Sequence, residues 1–416
     1  MTTLTTLAAS HWPTLVLPPR TRTSDLRADV ARRLFTSAVD RLDVTVEFDG
    51  RILGAGGPRM TIHRSDEFFR RLGSQPSTGF GESYMTAAWD ADDLGGFLTV
   101  LAAGIRTLVP RPLQVMRSAV MPRPPRDERG DKADTQRVVG HHYDLSNDLF
   151  ETFLDPTMTY SIALFDETDA GTPVVGGDLE QAQERKLDRL LDLARVGDGT
   201  HLLEIGSGWG SLALRAARRG ARVRTITLSV AQQQLARERI AEAGLQDRID
   251  VDLCDYRDVE GRYDAVVSIE MIEAVGWRHW STYLATIDRV LEPGGCAAIQ
   301  AITMPHDRMK ATRNTQTWVT KYIFPGGFLP SVRALEEATA GTSLRLTSTE
   351  AIGAHYAETL RQWDEAFLAR ADEVRALGFD DTFNRMWHYY LQYSRAGFSS
   401  GYLDDHHLVY TKESGR

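Results

Sequence analysis

The apolar and polar positions divide the chain into two parts with different patterns. In the second part, short apolar runs bounded by turn residues alternate with stretches of helical periodicity. The strand-like runs cover residues 203–205, 222–228, 249–253, 263–269 and 295–303. The helical stretches cover residues 180–196, 212–219, 229–243 and 280–291. Because strands alternate with helices, the pattern predicts an α/β fold with a doubly wound, parallel sheet.

The first part is shorter and mixed. Residues 24–42 have helical periodicity, and residues 44–48 and 59–63 alternate like strands on either side of the turn-rich stretch 49–58. A Pro-rich, charged stretch at 121–134 has the composition of a linker. The predicted organisation is a loosely ordered N-terminus (1–23), a small α+β domain (24–120), a linker (121–135) and a larger domain (136–416).

Charge is distributed unevenly over the 416 residues. The chain has a net charge of −9, yet its first 140 residues carry 19 Lys+Arg against 16 Asp+Glu, and the remainder carries 29 against 41. The basic front is suited to anionic lipid headgroups, although a solvated surface explains so small an excess equally well. The acidic balance disfavours a nucleic-acid partner. No apolar run approaches the ~20 residues of a membrane span, and no signal peptide is recognisable, so we predict a cytoplasmic protein.

The central motif is the string Leu-Glu-Ile-Gly-Ser-Gly-Trp-Gly at residues 203–210. A strand that ends in alternating glycines before a helix lets the backbone approach a ligand, and the helix N-terminus attracts an anionic group. The spacing differs from the Gly-x-Gly-x-x-Gly of dinucleotide folds, and no acidic residue ends the next apolar run, 222–228. The motif therefore predicts a nucleotide-like ligand other than NAD.

The same motif resembles the first motif of S-adenosylmethionine-dependent methyltransferases. This resemblance implies a Rossmann-like class I fold with a seven-stranded sheet. It also implies a methionine site at Glu204, Gly206 and Gly208. The string Thr227-Leu228-Ser229-x-x-Gln232 matches a ribose-binding segment, and Asp255-Tyr256 falls where the topology places the adenine.

Several uncommon strings in the remaining sequence resemble the cyclopropane-fatty-acid synthase family. They are Gly-Glu-Ser-Tyr-Met at 81–85, His-Tyr-Asp-Leu-Ser-Asn-Asp at 142–148 and Met-Thr-Tyr-Ser at 158–161, and the likeness extends from about residue 60 to the C-terminus. The resemblance places Tyr160 and Ser161 beside the cofactor. Metal binding is not expected, since the adjacent His141 and His142 have no further ligand at a zinc spacing.

The resemblance also implies a set of catalytic positions. In the family, a glutamate corresponding to Glu273 holds a bicarbonate ion that is a proposed general base, together with the backbone at Ile302 and the side chain of Tyr356. This chain departs from the family at two positions: Ile162 replaces a cysteine, and Gln300 replaces a histidine common in cyclopropane synthases. These two departures weaken the predicted bicarbonate site, and Glu273 itself is an alternative base.

The family reaction transfers a methyl group to an acyl-chain double bond through a carbocation, which aromatic faces stabilise by ~0.5 to 2 kcal/mol each. Aromatic side chains in the last third are candidates for the acyl site: Trp318, Tyr322, Phe324 and Tyr402. The strings at 270–276 and 298–306 resemble the actinobacterial branch that makes 10-methylene-stearoyl chains from oleoyl phospholipid. That branch implies a flavin-dependent reductase as partner, a homodimer, and peripheral attachment to the inner face of the cell membrane.

Two alternatives remain open from sequence. A cyclopropane-fatty-acyl-phospholipid synthase would use the same substrates, and its product would be an isomer of the methylene product. A catalytically inert, S-adenosylmethionine-binding lipid sensor would result if the departure at Ile162 had disabled the site.

Overall fold

The computed structural model describes residues 12–17, 19–108 and 146–414. The predicted linker, 121–135, and most of the string at 142–148 lie outside the described residues. The chain forms two compact units. Unit 1 consists of residues 1–123, 314–323 and 378–400, and unit 2 consists of residues 124–313, 324–377 and 401–416.

Unit 1 contains a four-stranded sheet of order β2-β1-β3-β4. Its strands are β1 (Thr45–Phe48), β2 (Arg51–Gly54), β3 (Arg59–Ile62) and β4 (Trp89–Ala91). Its helices are α1 (Arg22–Val39), α2 (Ser65–Ser74), α3 (Gly79–Met85) and α4 (Leu94–Leu108), with α11 (Trp318–Tyr322) and α15 (Asp381–Ser399) from later in the chain. The arrangement is the predicted α+β fold, except that the stretch predicted as turns, 49–58, also contains β2.

The N-terminal segment is more ordered than predicted where it is described. Residues Pro13–Leu15 form a 3₁₀ turn, and helix α1 begins at Arg22, within the predicted disordered stretch 1–23. Leu15 is buried, and its carbonyl accepts a hydrogen bond of 2.6 Å from the buried Arg71 guanidinium. The buried Leu15 side chain and the hydrogen bond from Arg71 thus hold this segment on unit 1.

Helices α11 and α15 differ from the sequence-based division, which placed them in the domain 136–416. The Trp318 indole on α11 lies so close to Gly81 on α3 that a Cβ there would be 2.6 Å from the ring. Arg385 on α15 donates to the carbonyl of Tyr84 at 2.6 Å and lies over that ring. These buried contacts with α3 explain why both helices belong to unit 1.

Unit 2 contains the predicted seven-stranded sheet, in the order β10-β11-β9-β8-β5-β6-β7. Strands β5 to β9 are parallel, and β11 runs antiparallel to both β9 and β10. The strands are β5 (His201–Ile205), β6 (Arg222–Thr227), β7 (Ile249–Leu253), β8 (Tyr263–Ile269), β9 (Leu291–Thr303), β10 (Leu344–Ala351) and β11 (Asp404–Lys412). The doubly wound α/β prediction is confirmed.

Helices cover both faces of this sheet, and an apolar core lies on each face. The helices are α5 (Asn147–Glu151), α6 (Leu179–Leu193), α7 (Ser211–Arg218), α8 (Val230–Glu242), α9 (Trp280–Val290), α10 (His306–Thr312), α12 (Val332–Ala338), α13 (Ala354–Ala369) and α14 (Ala371–Ala376). Because the strands β5 to β9 are parallel, their carboxyl ends meet at one edge, where the segments that follow them converge. Within the described residues, no helix is both long and apolar enough to cross a bilayer.

Candidate active site

The glycine turn after β5 has the backbone conformation that its sequence predicts. Gly206, Gly208 and Gly210 have φ of +98°, +47° and +88°, in the left-handed region that favours glycine. A Cβ on Gly206 would lie 2.4 Å from the Cγ atom of Met271, whereas a Cβ on Gly208 would meet no atom within 4 Å. Gly208 therefore borders open space directly before α7, as a site for the methionine portion requires.

Glu204 ends β5 beside this turn. It is 3% exposed, and its Oε2 atom has no hydrogen-bond partner. Burial raises the pKa of Glu204 to about 8. An unsatisfied buried carboxylate is costly unless a cation or donor reaches it, and the ammonium group of S-adenosylmethionine supplies both. The residues of this turn thus fit the predicted cofactor.

The residues predicted to bind ribose lie at the end of β6 and in the segment that follows it. Thr227 donates to Oε1 of Gln232 at 2.8 Å, and Ser229 caps helix α8 by accepting from the Gln232 backbone N–H at 3.2 Å. Thr227 and Gln232 are buried, and Leu228 is half-buried between them in sequence. Their ribose contact stays a prediction, but the Gln232 amide retains N–H donors for it.

Asp255, one of the two residues predicted to contact adenine, already has a hydrogen-bonding partner in the protein. The Asp255 carboxylate already accepts from Arg257, at 2.8 Å from Nε and 2.6 Å from Nη2. Tyr256 is buried against Tyr283, with ring centroids 5.0 Å apart. Asp255 and Tyr256 therefore lie at the carboxyl end of β7, as predicted, and their contact with adenine stays a prediction.

Ser161 lies beside a buried cation, and its neighbour Tyr160 packs on a buried aromatic ring. The Tyr160 ring packs on Trp363 with centroids 5.2 Å apart. Ser161 is buried and accepts a hydrogen bond of 2.6 Å from Nζ of Lys186, which comes from α6 and is completely buried. Burial lowers the pKa of Lys186 to about 8, while the acids around it oppose that shift.

Glu273 follows β8 and contacts the backbone of Ile302, the residue that the resemblance grouped with it around an anion. Its Oε1 atom accepts from the Ile302 backbone N–H at 2.6 Å, and its Oε2 atom is buried with no partner. Burial, together with repulsion from Glu270, raises the pKa of Glu273 to about 8. A carboxyl that is neutral or weakly basic near neutral pH is suited to proton transfer.

Glu270, three residues earlier, is an acid that sequence reasoning did not single out. Its Oε1 atom accepts from the Ile162 N–H at 3.0 Å and from Nε2 of Gln300 at 2.8 Å. Its Oε2 atom accepts from the Tyr356 hydroxyl at 2.6 Å. The structure thus brings Ile162, Gln300 and Tyr356 together, as predicted, but around a carboxylate of the chain itself.

Bicarbonate does not fit this arrangement. The Tyr356 hydroxyl, which the resemblance assigned to bicarbonate, already donates to Glu270, as do the Ile162 N–H and the Gln300 amide at the two departing positions. The Ile302 N–H donates to Glu273 instead, and a bound anion would lie beside the Glu270 carboxylate. Like charges this close strongly disfavour binding in a buried site. No step of the mechanism is therefore derived through bicarbonate.

Strand β11 adds two further residues that the sequence did not reveal. Its pairing with β9 sets Asp405 opposite Ile302 and His407 opposite Gln300. His407 Nε2 lies 3.3 Å from Oε1 of Gln300, a contact that turns the amide N–H₂ of Gln300 toward Glu270. Burial and the charges of Glu270 and Glu273 raise the pKa of Asp405 well above its usual value.

The four aromatic residues predicted for the acyl site are divided between the units. Trp318 and Tyr322 belong to unit 1, where the Tyr322 hydroxyl donates to Glu82 at 3.0 Å and Trp318 is buried. Phe324 and Tyr402 belong to unit 2. The backbone N–H of Phe328 donates to the Glu273 carbonyl at 2.8 Å, so the loop that contains Phe324 contacts the segment of Glu273. Substrate contact by all four stays a prediction.

Comparison with known proteins gives the following matches. The family model described as mycolic acid cyclopropane synthetase matches residues 131–408. A tuberculostearic acid methyltransferase, UfaA1 of Mycobacterium tuberculosis, is 49% identical over 97% of this chain and 96% of its own length. The cyclopropane-fatty-acyl-phospholipid synthase of Escherichia coli K12 is 34% identical over 87% of this chain and 90% of its own. The solved structure of the cyclopropane synthase MmaA2 from M. tuberculosis covers 67% of this chain and 98% of its own, with TM-score 0.60 and 31% identity.

The seven-stranded sheet, the glycine turn and these relatives define an S-adenosylmethionine-dependent methyltransferase of class I. S-adenosylmethionine is the cofactor of this class, and a further similar structure, the synthase CmaA1, was solved with S-adenosylhomocysteine (29% identity, TM-score 0.60, 67% of this chain and 98% of its own). Within that class, the chain belongs to the mycolic acid cyclopropane synthetase family.

Proposed function

We propose that this methyltransferase methylates the double bond of an oleoyl chain in a membrane phospholipid and so converts that chain to a 10-methylene-stearoyl chain. The observation that carries the proposal is the 49% identity to a tuberculostearic acid methyltransferase over nearly the whole of both chains. The strings at 270–276 and 298–306 support the same branch.

The chemistry of the site supports a carbocation intermediate. An alkene is a poor nucleophile, so it must be aligned with the donor in a pocket that excludes water. S-adenosylmethionine supplies an electrophilic methyl group when bound. The chain itself supplies aromatic rings and acids in the same region of unit 2, where Trp363 packs on Tyr160 and lies edge-on to Tyr356 at 6.2 Å. Aromatic faces and a nearby carboxylate both stabilise positive charge on carbon.

The fate of the cation determines the product. If a proton leaves the transferred methyl group at once, the chain closes to a cyclopropane. If a hydride first shifts between the two former alkene carbons, a tertiary cation forms at the methylated carbon. Proton loss from the methyl group then leaves a methylene branch (C=CH₂) on the chain. We propose the second path.

The decisive experiment incubates purified protein with methyl-labelled S-adenosylmethionine and dioleoyl phospholipid vesicles and then examines the hydrolysed acyl chains by proton NMR. The proposal expects vinylidene protons downfield. Upfield ring protons would show instead that the protein is a cyclopropane synthase, the alternative favoured by the 34% identity to the Escherichia coli enzyme. Absence of label in the lipid, with S-adenosylmethionine still bound, would leave the lipid-sensor reading.

Attachment to the inner face of the cell membrane is part of the proposal, and helix α1 supports it. Leu26, Val30 and Leu34 are spaced four residues apart on one face and are 65%, 48% and 44% exposed. The exposed Arg27 and Arg33 flank this apolar stripe. Such a helix suits a surface with anionic headgroups above an apolar layer, where each nearby arginine contributes ~1 kcal/mol. We also propose that a flavin-dependent reductase acts on the product and that the protein forms a homodimer. Both of these points rest on the family resemblance alone.

A further inference from the structure

Glu270 occupies an unusual backbone position at the carboxyl end of β8. Its φ of +47° lies in the left-handed region, where a residue other than Gly, Asn or Asp is uncommon. Its backbone N–H donates to the carbonyl of Gln300 on β9 at 2.9 Å, which anchors it to the sheet. The chain therefore accepts strain at the place where this carboxylate enters the site.

The hydrogen bonds around Glu270 are those that a carboxylate accepts, and they oppose the burial that raises the pKa of Glu270 above its usual value. The Ile162 N–H and the Gln300 amide N–H₂ can only donate, and both contact Oε1. The Tyr356 hydroxyl donates to Oε2. Charge-assisted bonds of this kind are shorter and stronger than neutral ones, and three of them stabilise a carboxylate against the effect of burial.

The Gln300 amide has a fixed orientation in this set. Its oxygen lies 3.3 Å from Nε2 of His407, whose ring is completely buried, so the opposite end of the amide presents N–H₂ to Glu270. A histidine at position 300, as the family resemblance implies for other members, would bring a group able to carry charge. Gln300 instead gives a neutral donor, which suits a site that already has its own anion.

The surrounding charges leave no need for a second anion. Three acids of unit 2 act on one another here: Glu270, Glu273 and Asp405. The buried cation among them is Lys186. One carboxylate is enough to balance Lys186, and burial raises the pKa of all three acids, which disfavours any further negative charge. A dissolved anion would add an uncompensated charge.

We propose that Glu270 is the built-in counterpart of the dissociable anion of this family and accepts the proton that the lipid cation loses. The proton-transfer part rests on the proposed function. In that step a C–H bond of the transferred methyl group breaks, its electron pair forms the carbon–carbon double bond of the product, and the proton binds the Glu270 carboxylate. Glu270 then returns the proton to solvent before the next turnover.

Glu270→Gly is the variant that opens the anion position. Glycine adopts φ of +47° without strain, so the fold should survive, and the three donors would face a space the size of a carboxylate. The variant should lose activity by roughly 10²-fold or more, the range of a missing general base. Added bicarbonate should restore a measurable part of that activity, whereas the unmodified protein in carbonate-free buffer should be fully active and indifferent to bicarbonate.

Glu270→Gln is the matched control. It fills the same space without a charge, so it should be as slow as Glu270→Gly but should not respond to bicarbonate. Thermal unfolding gives a readout independent of turnover. Bicarbonate should raise the melting temperature of Glu270→Gly alone, because a ligand stabilises only the protein that binds it.

The outcomes separate this inference from the proposed function. A protein that transfers no methyl group to oleoyl phospholipid would overturn the proposed function, yet the thermal assay would still test the anion site. Bicarbonate dependence of the unmodified protein, or Glu270→Gln at full rate, would overturn the inference. A folded Glu270→Gly variant whose melting temperature and rate ignore bicarbonate would also overturn it.

Discussion

Glu204 and Glu273 make the stability of the protein depend on pH. Burial raises the pKa of each to about 8, from a usual value near 4.5. A carboxyl group with a raised pKa in the folded state favours folding below pH 4.5, and this contribution is lost as the pH rises toward 8. We expect the unfolding free energy of the cofactor-free protein to fall across this interval, by up to about 1.4 kcal/mol per pH unit for each group.

Glu273→Gln should reduce the dependence of the unfolding free energy on pH by the contribution of one titrating group. Chemical denaturation at several pH values measures this dependence. The exposed Glu180→Gln on α6 is the control and should leave the slope unchanged. Identical slopes for Glu273→Gln and the unmodified protein would show that Glu273 titrates normally.

Gly208 offers the sharpest test of the cofactor site. Asparagine tolerates a left-handed backbone better than most residues, so Gly208→Asn should fold while its side chain enters the open space before α7. Calorimetry should show S-adenosylmethionine affinity lowered at least about tenfold, which is ~1.4 kcal/mol. Gly244→Asn, at φ +66° with equally open surroundings after α8, should bind normally. Gly206 is less informative, because Met271 lies against it.

Sequence patterns could identify Glu204 and Glu273 because strings around them resemble a known family. Glu270 lies in the same string as Glu273. It is the first residue after the apolar strand β8, and ligands of parallel sheets bind at the carboxyl ends of the strands, so the sequence offered a signal for it. Lys186 also left a signal, since it lies on the apolar face of α6 with Leu187 and Leu190. What the sequence could not supply was the distance from each of these residues to Ile162 or Tyr356, far away along the chain.

At the scale of elements, α1 carries the prediction about membranes. Replacing Leu26, Val30 and Leu34 with serine should lower sedimentation with anionic vesicles at least about tenfold, because each fully inserted side chain contributes ~1.5–3 kcal/mol. The double variant Val175→Ser and Leu368→Ser removes exposed apolar residues from unit 2 and serves as the control. Equal binding of the α1 variant and the unmodified protein would move the docking face elsewhere.

The five parallel strands were predictable because each is a short apolar run bounded by turn residues, and the helices between them were predictable from their helical periodicity. Strands β10 and β11 were not assigned. Strand β11 (Asp404–Lys412) begins with two aspartates and two histidines, a polar run that resembles a loop. Its pairing with β10 on one side and β9 on the other, and not its own sequence, makes it an interior strand, second from the edge of the sheet. The residues missed at the site, Asp405 and His407, come from this strand.

At the scale of the molecule, unit 1 is built from three separate stretches of chain. A fragment of residues 136–416 would retain α11 and α15 but lose α3 and α4, against which they pack. Trp318 and Tyr389, both buried in unit 1, would then be exposed to water. We expect this fragment to aggregate or to melt well below the full chain in a thermal scan. Co-expression with residues 1–120 should restore solubility, and a fragment that is stable alone would contradict the expectation.

The same discontinuity sets the order of events on the ribosome. Unit 1 begins with the first described residues, yet it lacks α15 until residue 399 has been made. About 290 residues separate the end of α4 from that point, which is roughly 15 to 60 s of translation at 5–20 residues per second. During this interval the surfaces of α3 and α4 that receive α15 lack that helix. We expect chaperones to protect these surfaces, so expression of this protein should respond to chaperone supply and to the rate of translation.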